Sequence, residues 1–183
     1  MEYSGSRTKK PRSLRGAFIT FEGTEGSGKS TQCRRLARAL RAQGYQVIQT
    51  REPGGTPLAE TIRTLFLTSS KAKIKMEPIT PVCESMLIFA ARSQHMTHII
   101  QPALDKGMIV ICDRFFDSTL AYQGYARGVK KTFLYDAQQF VTNGLQPHLT
   151  FFLDLPIRDG LARRQQSNKQ DRLDQESLGF HQR

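Results

Sequence analysis

Residues 23–30, Gly23-Thr24-Glu25-Gly26-Ser27-Gly28-Lys29-Ser30, fit the pattern G-x-x-x-x-G-K-[ST]. That spacing belongs to a P-loop, in which glycines let backbone N–H groups curl around a phosphate. The flanks supply what the loop needs on either side. Ala17-Phe18-Ile19-Thr20-Phe21 is short, apolar and partly β-branched, the composition of a buried strand. From Ser30 to Gln43, Leu36, Ala37 and Leu40 share one stripe while arginines occupy the rest, which predicts an amphipathic helix. The unsatisfied N–H groups and dipole at the start of that helix favour an anion. Lys29 is then placed to reach the β- and γ-phosphates of a nucleotide, and the Ser30 hydroxyl to sit on Mg²⁺.

Outward from the loop, strand and helix patterns alternate. Tyr45–Thr50 reads as a second strand, closed by the polar turn Arg51-Glu52-Pro53-Gly54-Gly55. A helix is predicted from about Pro57 to Leu67, then a lysine-rich loop over 68–77. Pro78 to Asp105 reads as one long helix, open to interruption near Pro102, with Met86, Leu87, Phe89, Ala90 and Ile99 inward. Met108–Cys112 is a continuous apolar run, the mark of a strand covered on both faces, and it ends in Asp113-Arg114. A helix over about 130–143, a fourth strand over 149–154 and a helix from Ile157 to Arg164 follow, then a polar segment over 165–172 that suits a mobile loop. The alternation predicts an α/β fold of the P-loop NTPase type, a parallel β-sheet flanked by helices on both faces.

The 183 residues suffice for one such domain, expected over 16–183. The formal charge of +11 is shared between that domain and its leader, where Arg7, Lys9, Lys10, Arg12 and Arg15 outweigh Glu2. Residues 1–15 lack an apolar core and read as a solvated basic tail, not as a secretory signal. No apolar stretch approaches the length needed to span a bilayer, so no membrane role is expected. Cys33, Cys83 and Cys112 have no metal-ligand spacing; they read as buried free thiols in a reducing compartment.

Charge alone suits a polyanionic small substrate or a nucleic acid. A strand-binding face would need aromatic residues interleaved with the basic ones, and the chain has no such stretch, so specific nucleic-acid binding is not expected. Phosphoryl transfer asks mainly for positioning and charge neutralisation. When the acceptor is itself a phosphate, the obstacle is repulsion between two polyanions, and arginines should converge from separate segments. Arg51 and Arg114 each follow a predicted strand, where open α/β sheets bind ligands, and Arg92 lies on the long helix. Arg163, Arg164 and Arg172 surround the polar loop.

Five segments now resemble one family. Phe21–Thr31, Thr50–Thr56, Asp113-Arg114-Phe115, Ser118–Gly124 and Asp171-Arg172-Leu173-Asp174 are similar, in order, to the signature segments of bacterial thymidylate kinases. The resemblance implies a cytoplasmic enzyme that transfers the γ-phosphoryl of ATP to dTMP with Mg²⁺, acting as a homodimer through the long helix. It implies that residues 23–31 (Gly23, Thr24, Glu25, Gly26, Ser27, Gly28, Lys29, Ser30 and Thr31) hold ATP. Glu25 would face the deoxyribose 3′-hydroxyl or the metal's water shell. Arg51, Arg92 and Arg114 would surround the acceptor phosphate, and Asp113 would organise the metal with Ser30. Thr119, Tyr122 and Gln123 would line the thymidine pocket, and a cis bond would precede Pro53.

The same resemblance makes 165–172 a lid. Forms without an arginine inside the P-loop supply catalytic arginines from the lid, and this loop has Glu25-Gly26 where one could stand. Arg163, Arg164 or Arg172 is therefore expected at the transferring phosphoryl, with Lys169 sharing the work. Three departures accompany the match. Ile88 occupies the place of the family's thymine-stacking Phe, with Phe89 one step later, so the base contact falls to either. The lid is poor in arginine. The family continues by another strand and helix beyond the position of Arg183, so the chain is expected to be a shortened form.

Overall fold

The computed structural model describes residues 16–67, 77–165 and 179. The basic tail at 1–15, the loop at 68–76 and the expected lid from 166 onward lie outside the described residues. Among the described residues, four parallel strands form the sheet: β1 (Ala17–Gly23), β2 (Val47–Arg51), β3 (Ile109–Asp113) and β4 (Leu149–Leu153), in the order β2-β3-β1-β4. β1 lies between β3 and β4, pairing Phe21 with Asp113 on one side and with Phe151 on the other. That register brings the start of the P-loop and the acidic end of β3 to the same rim of the sheet.

Strand alternation explains the two helical layers. Phe21 and Ile111 face α1 (Lys29–Ala42) and pack with Cys33, Ala37 and Val47. Phe18, Val110 and Cys112 face the other way, onto Met96, Ile100, Ala103 and Phe115. The expected α/β class and its two-sided cover are observed. Beyond α2 (Pro57–Leu67) comes α3 (Pro81–His95), which starts at Pro81 and not Pro78 because the Thr80 hydroxyl accepts from the Cys83 N–H. Such an N-cap is worth about 1 kcal/mol.

The long helix is not broken near Pro102. A π-helical turn over Met96–Ile100 leads into α4 (Gln101–Asp105), and the Gln101 N–H bonds back to the Met96 carbonyl. This wider turn resets the ladder ahead of a proline that has no N–H to offer. Met86 and Ala90, expected inward, face outward, as do Val82 and Cys83; the inner stripe of α3 is Glu84, Ile88, Arg92 and His95. Of the three thiols only Cys33 and Cys112 are buried. After β3 follow α5 (Phe116–Thr119), a second π-helical stretch (Leu120–Ala126), α6 (Lys131–Thr142), β4 and α7 (Ile157–Gln165).

Candidate active site

The loop between β1 and α1 curls as its glycines allow, with Gly26 at φ 71° and Gly28 at φ 94°. Lys29 is buried and folds back on the loop, donating to the carbonyls of Gly23 at 3.0 Å and Thr24 at 2.7 Å. Burial lowers its pKa to about 8, helped by the nearby Arg114 cation and opposed by Glu25, Asp113 and Glu22. The amine thus sits on the oxygens that a phosphate would replace. A Cβ on Gly26 would come within 2.2 Å of the Gly160 carbonyl oxygen, and one on Gly160 equally close to that of Glu25. Backbone meets backbone here, so α7 rests directly on the P-loop.

At the rim, the Ser30 hydroxyl donates to Asp113 Oδ2. A hydroxyl and one carboxylate side by side, open toward the loop, fit Mg²⁺, which takes few protein oxygens and completes its shell with phosphate and water. No cluster of three or more His, Cys, Asp or Glu suited to a metal occurs among the described residues. The buried thiols take no part: burial pushes Cys33 up to about 12 and Cys112 well above its ordinary value.

Beside the loop opens a cavity of about 480 Å³, lined by Gly26–Thr31 at one end and Ile88, Tyr122 and Gln123 at the other. Arg51, Arg63, Arg92, Arg114 and Arg163 are among its lining residues. Arg114 holds φ 73°, a left-handed conformation that costs a β-carbon-bearing residue energy and is found at functional sites. Its guanidinium bonds Glu25 Oε1 at 2.5 Å and Ser118 Oγ at 2.9 Å and lies over the Tyr122 ring. Burial works to lower its pKa, but Glu25, Tyr122 and Glu22 outweigh that and raise it. Glu22 in turn accepts from the Phe115 N–H and the Ser118 hydroxyl, with its own pKa raised by burial. The P-loop acid and the residue after β3 are therefore joined before any ligand enters.

Arg92 is not an open phosphate clamp. Only 2% exposed, it bonds Glu52 Oε2 at 2.7 Å, Gln138 Oε1 at 2.7 Å and Thr119 Oγ1 at 2.9 Å, beneath the rings of Phe89, Phe115 and Phe116. Glu52 also meets His95, whose other nitrogen meets Thr50 Oγ1 at 2.6 Å. Burial would raise the Glu52 pKa, yet Arg92 and His95 hold it below the usual carboxylate range. This network fixes the turn at the cis Glu52–Pro53 bond. Arg51 is half exposed and paired with Glu60 at 2.8 Å, a contact easily exchanged for a ligand.

At the far end, Ile88 lines the cavity and packs with Leu67, Tyr122 and Ala126. Phe89 does not: it is core, edge-on to Phe133, because one step along a helix turns a side chain about 100° away. Thr119, Tyr122 and Gln123 are brought together as expected. Arg63, Glu52, His95 and Glu84 were not singled out from sequence; Glu84 and His95 carry the one available signal, polar residues on the stripe that holds Arg92. The Arg164 side chain and Arg172 lie outside the described residues.

Such a cavity can seat a nucleotide's phosphates at one end and an anionic, ring-bearing second molecule at the other. The known proteins that this chain is similar to are thymidylate kinases. The family model described as thymidylate kinase matches residues 21–183. The thymidylate kinase of Ectopseudomonas mendocina is 50% identical over 167 residues, 91% of this chain and 77% of that one. That of Thermomicrobium roseum is likewise 50% identical, over 91% of this chain and 76% of its own length. A crystal structure of thymidylate kinase from Ehrlichia chaffeensis superposes with a TM-score of 0.69 at 40% identity, covering 81% of each chain. A P-loop joined through Arg114 to a second pocket is thus found in a chain that belongs to the thymidylate kinase family.

Proposed function

We infer that the protein is a kinase that transfers the γ-phosphoryl of ATP to dTMP, giving dTDP and ADP. The observation that carries the reading to this chain's own residues is one cavity that has a phosphate cradle at one end and an apolar, amide-bearing pocket at the other. Gly23–Thr31 hold the ATP phosphates, and Lys29 leaves the loop carbonyls for them. Arg51, Arg63 and Arg114 neutralise the acceptor phosphate, so that two polyanions can approach. Arg92 acts beneath them through Glu52 and Thr119. Ser30 and Asp113 would hold Mg²⁺, which would neutralise charge on the phosphates. Glu25, held by Arg114 and within 3.4 Å of the Tyr122 hydroxyl, faces the sugar of the acceptor or the metal's water shell. Pro53, Ile88 and Tyr122 wall the nucleoside, while Thr119 and Gln123 supply polar contacts. Arg163, on α7 and lining the cavity, serves the transferring phosphoryl, with Arg164 and Arg172 as partners in that task.

The outward face of α3, with Val82, Met86 and Ala90 exposed, supports a homodimer through that helix. A cytoplasmic site of action accords with the free thiols. Among the described residues no helix is long and apolar enough to cross a membrane. The test is ADP release with dTMP, dUMP, dCMP, AMP and GMP as acceptors, together with direct detection of dTDP. dTMP should be fastest. AMP or GMP turning over faster would overturn the assignment.

A further inference from the structure

Gln123 is 1% exposed, lines the cavity, and has one side-chain atom with no partner among the described residues, Oε1. A buried acceptor without a donor is costly, and native structures keep such atoms where a ligand or water completes them. Which amide atom is left over depends on Glu84. The Glu84 side chain is fully buried, and its Oε1 accepts from Gln123 Nε2 at 2.7 Å. Arg127 Nε lies 3.4 Å from the same oxygen, so a cation pairs with that carboxylate. That carboxylate oxygen accepts, so the Gln123 amide turns its NH₂ toward Glu84. The reverse orientation would set two acceptors against each other in a dry site. Glu84 precedes Ile88 by one helical turn and Arg92 by two, so one face of α3 carries all three.

We propose that Glu84 is a specificity-determining positioning residue, which locks the Gln123 amide so that the pocket offers a hydrogen-bond acceptor and selects pyrimidines whose N3 carries a proton over those whose N3 is a bare acceptor. The proposal rests on the reading of this cavity end as the base pocket. Thymine and uracil have an N3–H to give to Oε1. Cytosine has a lone pair at N3, which faces Oε1 unfavourably and leaves both groups unsatisfied; sites built around a hydrogen bond reject such analogues strongly. Selection between thymine and uracil needs no such device and falls to the apolar wall at Ile88.

The test compares kcat/KM for dTMP, dUMP and dCMP in the wild type, Glu84→Gln and Arg127→Gln, with the melting temperature of each. A neutral amide at 84 can donate or accept, so Gln123 is released to turn its NH₂ toward cytosine N3. The dTMP-to-dCMP ratio should narrow by about tenfold or more in Glu84→Gln, mainly through KM, while the dTMP-to-dUMP ratio stays fixed. Arg127→Gln should narrow the same ratio by less, and it carries the test if Glu84→Gln fails to fold. An unchanged dTMP-to-dCMP ratio in the folded variant, or an equal loss for all three substrates, overturns the role of Glu84. A wild type that prefers dCMP would instead overturn the base-pocket reading beneath it.

Discussion

The two ends of the cavity are built on opposite plans. At the P-loop end, the key cation is satisfied by borrowed partners: Lys29 lies on the Gly23 and Thr24 carbonyls, and the Ser30 hydroxyl lies on Asp113. Under the proposed function, those bonds would be exchanged for phosphate and metal. At the nucleoside end, Arg92, Glu52, His95 and Thr119 are bonded to one another in a buried network that no ligand needs to break. One end is held in readiness by contacts meant to be exchanged, and the other by contacts meant to persist. Removing a group should therefore cost activity at the first end and stability at the second.

The sharpest break of that contrast pairs Lys29→Ala with Arg92→Leu. Lys29→Ala should lower kcat/KM at least a hundredfold, the scale of losing one group that stabilises charge in transfer. Its melting temperature should stay within a few degrees, since the lysine is buried at a cost its loop contacts only offset. Arg114→Ala should abolish transfer as well, from the acceptor side. Arg92→Leu leaves Glu52 as a buried charge without its main partner, and should destabilise the fold by about 3–5 kcal/mol. Urea melts and steady-state rates on the same samples decide it. A Lys29→Ala protein that unfolds, or an Arg92→Leu protein that melts normally, would dissolve the distinction between the two ends.

Gly160→Ala probes the place where the P-loop end touches the rest. The added methyl would meet the Glu25 carbonyl oxygen at 2.2 Å, and backbone cannot swing aside as a long side chain can. Either α7 or the loop must shift, at a cost of about 1–3 kcal/mol. Because Arg163 rides on α7 three residues later, the variant should raise KM for ATP several-fold and leave dTMP binding, measured calorimetrically, unchanged. Equal weakening of both would show that the contact supports the whole domain and not the phosphate end.

The same division decides what could be read from the sequence. The P-loop is eight consecutive residues, and its strand and helix adjoin it, so its pattern is local and legible. Arg51 and Arg114 were legible for a related reason: each directly follows a strand, and strand ends form the rim. The persistent network was not, because Glu52 meets Arg92 across 40 residues and Glu84 meets Gln123 across 39. Such pairings exist only after α3 has been laid beside the β2 turn and the second π-helical stretch. The choice between Ile88 and Phe89 is intermediate. It turns on helical phase, and Ile88 stands one turn before Arg92 where Phe89 does not. Met86 failed for want of any cue that one face of α3 would stay uncovered.

The smallest expected effect is the most specific to the exchange of partners at Lys29. In the free protein its amine titrates at about 8, well under the ordinary 10.5, chiefly because it is buried. A bound triphosphate stabilises the charged form, so ATP binding above that pH requires the lysine to take up a proton. The apparent affinity for ATP should accordingly be level below pH 8 and fall above it, with KM rising toward tenfold per pH unit. Phosphate monoesters lose their second proton at about pH 6, so the nucleotide's own titration lies below this window. Saturating ATP restores the proton, and kcat should stay level where KM climbs. Lys29→Arg keeps a cation through the whole range and should flatten the KM profile, even if its longer side chain lowers the rate. A flat wild-type profile from pH 7 to 10 would mean that Lys29 stays charged on the loop carbonyls throughout that range, and that burial there does not lower its pKa.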